Sequence, residues 1–223
     1  MTSTSPIDSN LERLQRVYVA VVSDALDALD LRHQVMAPRV RPLYPEARIV
    51  GRAHPIHFRP AERVPSQAEY HYMEIEAMDS LLPGEVYVGT LGDAPPCALF
   101  GELFSTCAKA RGATGAVIDG PVRDSGMIIA KPYPVFATAF SAADAAGRAE
   151  AIAHNVPITC GGVLVHPGDY ILAEYDGVVV IPHQHIEAVL QPAEEKVRGE
   201  NTVRAELAEG EKMRTVFERH GIL

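Results

Sequence analysis

The stretch from Glu85 to Asp119 constrains the fold more than any other part of this chain. It holds two short apolar runs, Glu85-Val86-Tyr87-Val88-Gly89-Thr90 and Gly115-Ala116-Val117-Ile118-Asp119. Between them lies a helical segment, Ala98 to Arg111, ended by Gly112. Runs of this length that are apolar almost throughout suit strands buried on both faces, and a helical crossover makes them parallel partners. In open α/β sheets ligands bind beyond the carboxyl ends of the strands. The loops after these two strand ends, Gly92–Gly101 and Gly120–Asp124, can therefore converge on one pocket, with Gly120-Pro121 expected as the turn that ends the second strand.

The rest of the chain adds layers to this unit. Residues 1–9 read as a loose, disordered tail and 10–223 as one domain. Behind Asn10, a suitable N-cap, Leu11, Leu14, Val17, Val21, Leu26 and Leu29 recur at helical spacing. Arg32 to Glu46 is broken by Pro38, Pro42 and Pro45 and reads as loop, Ile49–Phe58 as a strand. Pro65-Ser66 opens a second helix running to about Leu82. After Asp124 the pattern changes to short strands, Val135–Phe140, Ile158–Cys160, Val163–Val165, Tyr170–Glu174 and Val178–Ile181. Pro167-Gly168-Asp169 and Asp176-Gly177 punctuate them. From His183 to about Gly210 the chain is helical and highly charged. A mostly β half against an α/β half gives a single-domain α/β fold, layered β/β/α.

Bulk properties exclude several functions. At 223 residues, 47% hydrophobic, the chain can bury one sizeable core. A formal charge of −9 and the lack of a basic stripe argue against a nucleic-acid surface. Tryptophan is absent and aromatics are 6%, too few for base stacking. Cys97, Cys107 and Cys160 lack metal-ligand spacing and, being odd in number, read as reduced thiols in the cytoplasm. Residues 1–10 carry neither the basic nor the apolar region of a secretory signal, and no apolar run is long enough to span a membrane.

The chemistry gathers at Arg123-Asp124, with Glu102 separated from Arg123 by twenty residues. Two carboxylates can hold a hard divalent cation, Mg²⁺ or Mn²⁺, one directly and one through water; Asp124 suits the first role and Glu102 the second. A guanidinium can hold a carboxylate or an enolate oxygen, with more directionality than Lys. If Ala98–Glu102 opens the helix, its free N–H groups and dipole favour an anion there, and Gly101 allows close backbone approach. This set suits a small 2-oxo acid, whose enolate a Lewis acid stabilises. By spacing alone, the same residues also suit a surface ion pair and a favourable first-turn acid.

The run Gly92-Asp93, Ala98, Gly101-Glu102, Ala110-Arg111-Gly112, Gly115, Ile118-Asp119-Gly120, Arg123-Asp124 resembles the 4-hydroxy-4-methyl-2-oxoglutarate aldolases and RraA-like proteins. The resemblance continues through Pro134-Val135-Phe136-Ala137, Asn155-Val156-Pro157, Gly161-Gly162-Val163, Pro167-Gly168-Asp169 and Asp176 to Pro182. It implies a swivelling β/β/α sandwich assembled as homotrimers or hexamers with active sites between subunits. It implies Asp124 as metal ligand, Arg123 as pyruvate-binding and enolate-stabilising group, and the amides around Gly101, Glu102 and Leu103 as a carboxylate cradle. The family pattern has Asp where this chain has Glu102. Family aldolases also borrow an acid from a neighbour's C-terminal helix; Glu200 is the candidate, with Glu194 and Glu195 competing. The implied activity is metal-dependent release of pyruvate from a 4-hydroxy-2-oxo diacid, with oxaloacetate decarboxylation through the same enolate. The alternative is an RraA-type regulator that binds a ribonuclease without catalysis.

Other residues read as structural. His54 and His57 on one strand point to opposite faces. His71 and Glu74 share a helix face, and His183 and His185 flank a helix start. Lys131 is the lysine near the motif that a Schiff base would need, with nothing around it to lower its pKa. Arg63, His71 and Lys131 are open candidates for reading the distal half of a substrate. Cys107 reads as core, and no glycine-rich phosphate loop follows a strand.

Overall fold

The computed structural model describes residues 8–66 and 72–222. Helices α1 (Ser9–Leu14) and α2 (Val19–Ala28) open the chain, followed by strands β1 (Arg41–Pro42) and β2 (Ile49–Pro60). Helix α3 (Tyr72–Ser80), β3 (Glu85–Thr90), α4 (Glu102–Ala110), β4 (Gly115–Val122), α5 (Ser125–Ala130) and β5 (Val135–Phe140) come next. Then β6 (Ala149–His154), β7 (Ile158–Cys160), β8 (Val163–Val165), β9 (Tyr170–Glu174) and β10 (Gly177–Ile181) lead to α6 (Ile186–Ala208) and α7 (Met213–His220).

One mixed sheet has the order β1-β5-β4-β3-β2-β9-β10, with β6 also paired to β2. Strands β2 to β5 are parallel, as the crossover required, and β9 and β10 add antiparallel. The sheet curls until its ends meet: Arg41 on β1 donates to Tyr175 O (3.2 Å) and Asp176 O (3.3 Å), between β9 and β10.

Period-2 alternation divides the core. On the concave side, Val86, Val88, Val117, Phe136, Ile171, Val178 and Val180 close over the β7–β8 hairpin with Ile158, Cys160, Val163 and Val165. On the convex side, Tyr87, Ile118 and Val135 face α3 and α4, while Tyr170, Leu172, Val179 and Ile181 face α2 and α6. Hairpin, sheet and helices are the three expected layers.

Several local expectations are corrected. The first helix is two, because the Arg48 guanidinium takes the carbonyls of Leu14 (3.2 Å) and Val17 (2.8 Å) at the break. It begins at Ser9, with the Asp8 carboxylate capping Asn10 N–H at 3.1 Å, so Asp8 and Ser9 are ordered rather than part of the expected tail 1–9. Of that tail, residues 1–7 lie outside the described residues, as do 67–71, the start of the expected second helix. Helix α4 starts at Glu102, not Ala98, since Ala98 N–H donates to Ala143 O (2.8 Å) and Leu99 N–H to Pro121 O (3.1 Å). Helices α5 and α7 and strand β6 are additional to the expected elements, and so is β1, which pairs antiparallel with β5 inside the expected loop Arg32–Glu46. No helix among the described residues is long and apolar enough to cross a membrane.

Candidate active site

Strand β4 does not stop at Gly120-Pro121. A register shift between Ile118 and Pro121 lets pairing with β5 resume at Pro121 and Val122, which delivers Arg123 and Asp124 directly at the strand's end. The loop ahead of α4 is tied to this exit: Arg123 N–H donates to Phe100 O at 3.0 Å. The two loops after β3 and β4 thus converge, as the topology demanded.

Asp124 adopts a left-handed backbone (φ 56°, ψ 26°), uncommon for a residue with a side chain and a frequent mark of functional sites. Its carbonyl accepts Met127 N–H (2.9 Å) and Ile128 N–H (3.1 Å), so the first turn of α5 holds it in this conformation. Its carboxylate Oδ2 accepts Glu102 N–H at 3.3 Å and lies 3.8 Å from Arg123 Nε. The other end of the guanidinium, Nη1, is 3.4 Å from Asp144 Oδ1.

Arg123, Asp124 and Asp144 line one cleft of about 200 Å³ together with Gly101, Leu103 and the buried Glu74 of α3. The first intrahelical bond of α4 is Ser105 N–H to Gly101 O, so the amides ahead of it lie outside the helix ladder, and that of Glu102 donates to Asp124.

Glu102 is placed differently from the expectation. Its backbone reaches Asp124, but its carboxylate Oε1 accepts Thr106 Oγ1 (2.9 Å) and Lys131 Nζ (3.0 Å). The ammonium first, and the hydroxyl next, hold this carboxyl below the usual carboxylate range. Lys131, read as a possible Schiff-base lysine, is instead the partner of Glu102. Glu200 lies on α6, where Tyr18 Oη donates to it and Arg204 stands at 3.7 Å. Glu194 is held by Arg13 through bonds of 2.8 and 3.0 Å, which depress its pKa. Arg63 borders a separate cleft with Tyr72 and Glu150, and His71 lies outside the described residues.

The histidines behave as expected of a scaffold. His54 is buried, with Nδ1 3.1 Å from Glu85 Oε2 and Nε2 3.2 Å from His154 Nδ1, while His57 is exposed on the opposite face. His183 lies against Asp169, which also accepts its backbone N–H. Cys97 and Cys160 are buried, and Cys107 on α4 is partly so.

Among the described residues no three His, Cys, Asp or Glu side chains gather as a ready-made metal cage. The cleft's ionisable donors are nonetheless all carboxylates, hard oxygen ligands. A cation that keeps most of its waters needs one or two of these together with substrate oxygens. The residues present fit such an ion held by Asp124.

Fold and cleft define an α/β protein that presents an arginine, an aspartate and a helix N-terminus at the carboxyl ends of the parallel strands of a mixed sheet. The chain belongs to the RraA-like family (Aldolase/RraA), which matches residues 19–180. A Halalkalibacterium halodurans protein named "Putative 4-hydroxy-4-methyl-2-oxoglutarate aldolase" is 33% identical over 188 residues, 83% of this chain and 82% of that one. The crystal structure of an uncharacterized protein from Pseudomonas syringae pv. tomato superposes with a TM-score of 0.83 at 26% identity, covering 96% of this chain and 99% of the other. Streptomyces coelicolor RraAS2, described as an unusual member of the RNase ES inhibitor RraA family, gives 0.83 at 24% identity. It covers 91% of this chain and all of its own (100%), and shows the fold.

Sequence reasoning placed Glu74 with His71 on an exposed helix face, whereas it is buried on α3 and lines the cleft, and it missed Asp144, which reaches the cleft from the segment after β5 without any local motif. The Glu102–Thr106 spacing of four was a legible signal that this acid is used along its own helix.

Proposed function

We propose that this protein is a divalent-metal-dependent lyase that breaks a C–C bond of a 4-hydroxy-2-oxo diacid and releases pyruvate through its enolate. The observation that carries this reading is the convergence of Arg123, Asp124 and the start of α4 on one cleft. Mg²⁺ or Mn²⁺ held by Asp124, with water and substrate oxygens completing its shell, would supply Lewis-acid stabilisation worth several kcal/mol.

The chain's own residues supply the rest. The amides of the first turn of α4 receive the carboxylate of the 2-oxo acid, where the helix dipole favours negative charge. Arg123 donates toward the oxygen on which charge develops as the bond breaks, an interaction stronger in the transition state than in the ground state. Asp144, 3.4 Å from Nη1, keeps the guanidinium turned into the cleft. A β-oxo acid such as oxaloacetate would lose CO₂ through the same enolate.

A homotrimer or hexamer with sites between subunits suits the surface around the cleft. Leu103 is 78% exposed, Phe140 67% and Met127 53%, apolar side chains that a second copy would cover. In such an assembly Glu200 of α6 is the candidate acid for a neighbour's site.

The test is pyruvate release from 4-hydroxy-4-methyl-2-oxoglutarate and from oxaloacetate, with Mg²⁺ and then with EDTA. Metal-dependent turnover supports the reading, and the ratio between substrates says which lyase this is. Absence of turnover on both would favour the protein-binding role for which the RNase ES inhibitor family of RraAS2 is named.

A further inference from the structure

Glu102 stands where a second acid for the cation is expected, yet its carboxylate is turned away from the cleft. Both chain neighbours, Gly101 and Leu103, line the cleft with Arg123 and Asp124. What Glu102 gives Asp124 is its backbone N–H, at 3.3 Å. Its side chain runs along α4 to Thr106 Oγ1 and across to Lys131 Nζ, at the end of α5. Residues four apart on a helix have Cβ atoms roughly 5–6 Å apart, a span that Glu bridges more readily than Asp. The longer acid at 102, the hydroxyl at 106 and the ammonium at 131 therefore form one matched set.

We propose that Lys131 is a positioning residue that holds the Glu102 carboxylate off Asp124, so that Glu102 does not join Asp124 at a divalent cation and the cleft binds the ion more weakly. The proposal rests on the reading that Asp124 holds a cation. The Lys131 side chain is 68% exposed, and an exposed ammonium binds a carboxylate weakly. The set is therefore a latch that a competing cation can open, and its removal releases Glu102 to share the ion with Asp124, directly or through water.

The experiment is Mn²⁺ titration of the full chain without substrate, followed by the electron paramagnetic resonance of free Mn²⁺. Lys131→Met should bind Mn²⁺ about two- to fivefold more tightly than the parent, the most that release of an exposed ion pair can return. Lys131→Arg, which keeps the ion pair, should match the parent. In a Glu102→Gln background the gain should vanish. Unchanged or weaker binding by Lys131→Met would overturn the proposal, and so would a gain that survives Glu102→Gln, since that would assign the effect to lost positive charge alone. Asp124→Ala separates the two levels. Binding lost there but insensitive to Lys131→Met defeats the latch only, whereas binding indifferent to Asp124→Ala defeats the site reading beneath it. No binding by any variant overturns both.

Discussion

Gly101 and Asp124 approach so closely that no side chain fits between them. A Cβ on Gly101 would stand 2.8 Å from Asp124 Oδ2 and 3.2 Å from Arg123 Cγ. The backbone at Gly101 is extended (φ −148°), a conformation open to any residue, so the requirement is one of space. Asp124 is already fixed by α5 and by Glu102 N–H, and cannot retreat without breaking one of these contacts.

Gly101→Ala should therefore displace the Asp124 carboxylate while leaving the core intact. Misplacement on the ångström scale costs about 10²-fold in rate. Steady-state pyruvate release, beside a thermal melt, checks this: a large fall in kcat/KM with little change in Tm is expected. Full activity in the Ala variant would remove Asp124 from the chemistry.

Arg123→Ala should abolish pyruvate release, and Arg123→Lys should lose about 10²- to 10³-fold, the size seen when one stabilising donor is removed. The Lys ammonium keeps the charge but not the fork that reaches Asp144 on one side and substrate on the other. Both variants should stay within about 1 kcal/mol of the parent in stability, because the partly exposed ion pairs at Arg123 are worth little. Denaturant unfolding measures that separately. Lys matching Arg in kcat would mean the guanidinium acts only as a point charge.

The sequence was most informative where apolar runs are bounded by glycine, as in β3 and β4, because strands buried on both faces leave an uninterrupted pattern. It was least informative where a long-range contact decides. The break after Leu14 is made by Arg48, more than thirty residues on (the Arg48–Leu14 separation is 34). Strand β6 reads Ala-Glu-Ala-Ile-Ala-His, poor in β-branched residues, and exists because it pairs with β2. Helix α5 follows a left-handed Asp124, with no side-chain cap to announce it. The site divides in the same way. That Gly101, Leu103, Arg123 and Asp124 meet at one cleft was legible, because each lies in a local motif at the end of β3 or β4. The partnership of Glu102 with Lys131 spans 29 residues and depends on α5, so it was not.

Acid should destabilise the protein through its paired carboxylates. Lys131 and Thr106 hold the Glu102 pKa below its ordinary 4.5, Arg13 does the same to Glu194, and His220 with Arg219 to Glu206. A carboxyl depressed in the folded state contributes stability that is fully present above its unfolded value and is lost as pH falls through the folded one. Tm should therefore hold steady above about pH 5 and drop below the unfolded carboxylate range near 4.5. Glu194→Gln should flatten that drop, having lost its share already at neutral pH. Parallel Tm curves for parent and variant through about pH 3–5, the ordinary carboxylate range, would show that this pair contributes nothing in acid.

The three thiols should separate by burial. Cys160 sits fully buried at the base of the hairpin, its Sγ donating to Gly89 O at 3.5 Å, and burial pushes its pKa up to about 12. Burial also raises Cys97. A thiol raised in the folded state stabilises at pH values below the unfolded thiol's pKa and loses that contribution as pH rises through the folded value. The reactive form is the thiolate, so both buried residues are doubly protected, by access and by protonation. Cys107, partly exposed on α4, lacks the first protection. With an aromatic disulfide reagent at about pH 8, near the ordinary thiol pKa, one thiol should react promptly and be found at Cys107 by peptide mapping. The other two should react only as the fold opens, at rates that rise with denaturant. Prompt reaction of Cys160 in the native protein would mean that the hairpin opens from the sheet far more readily than its packing allows.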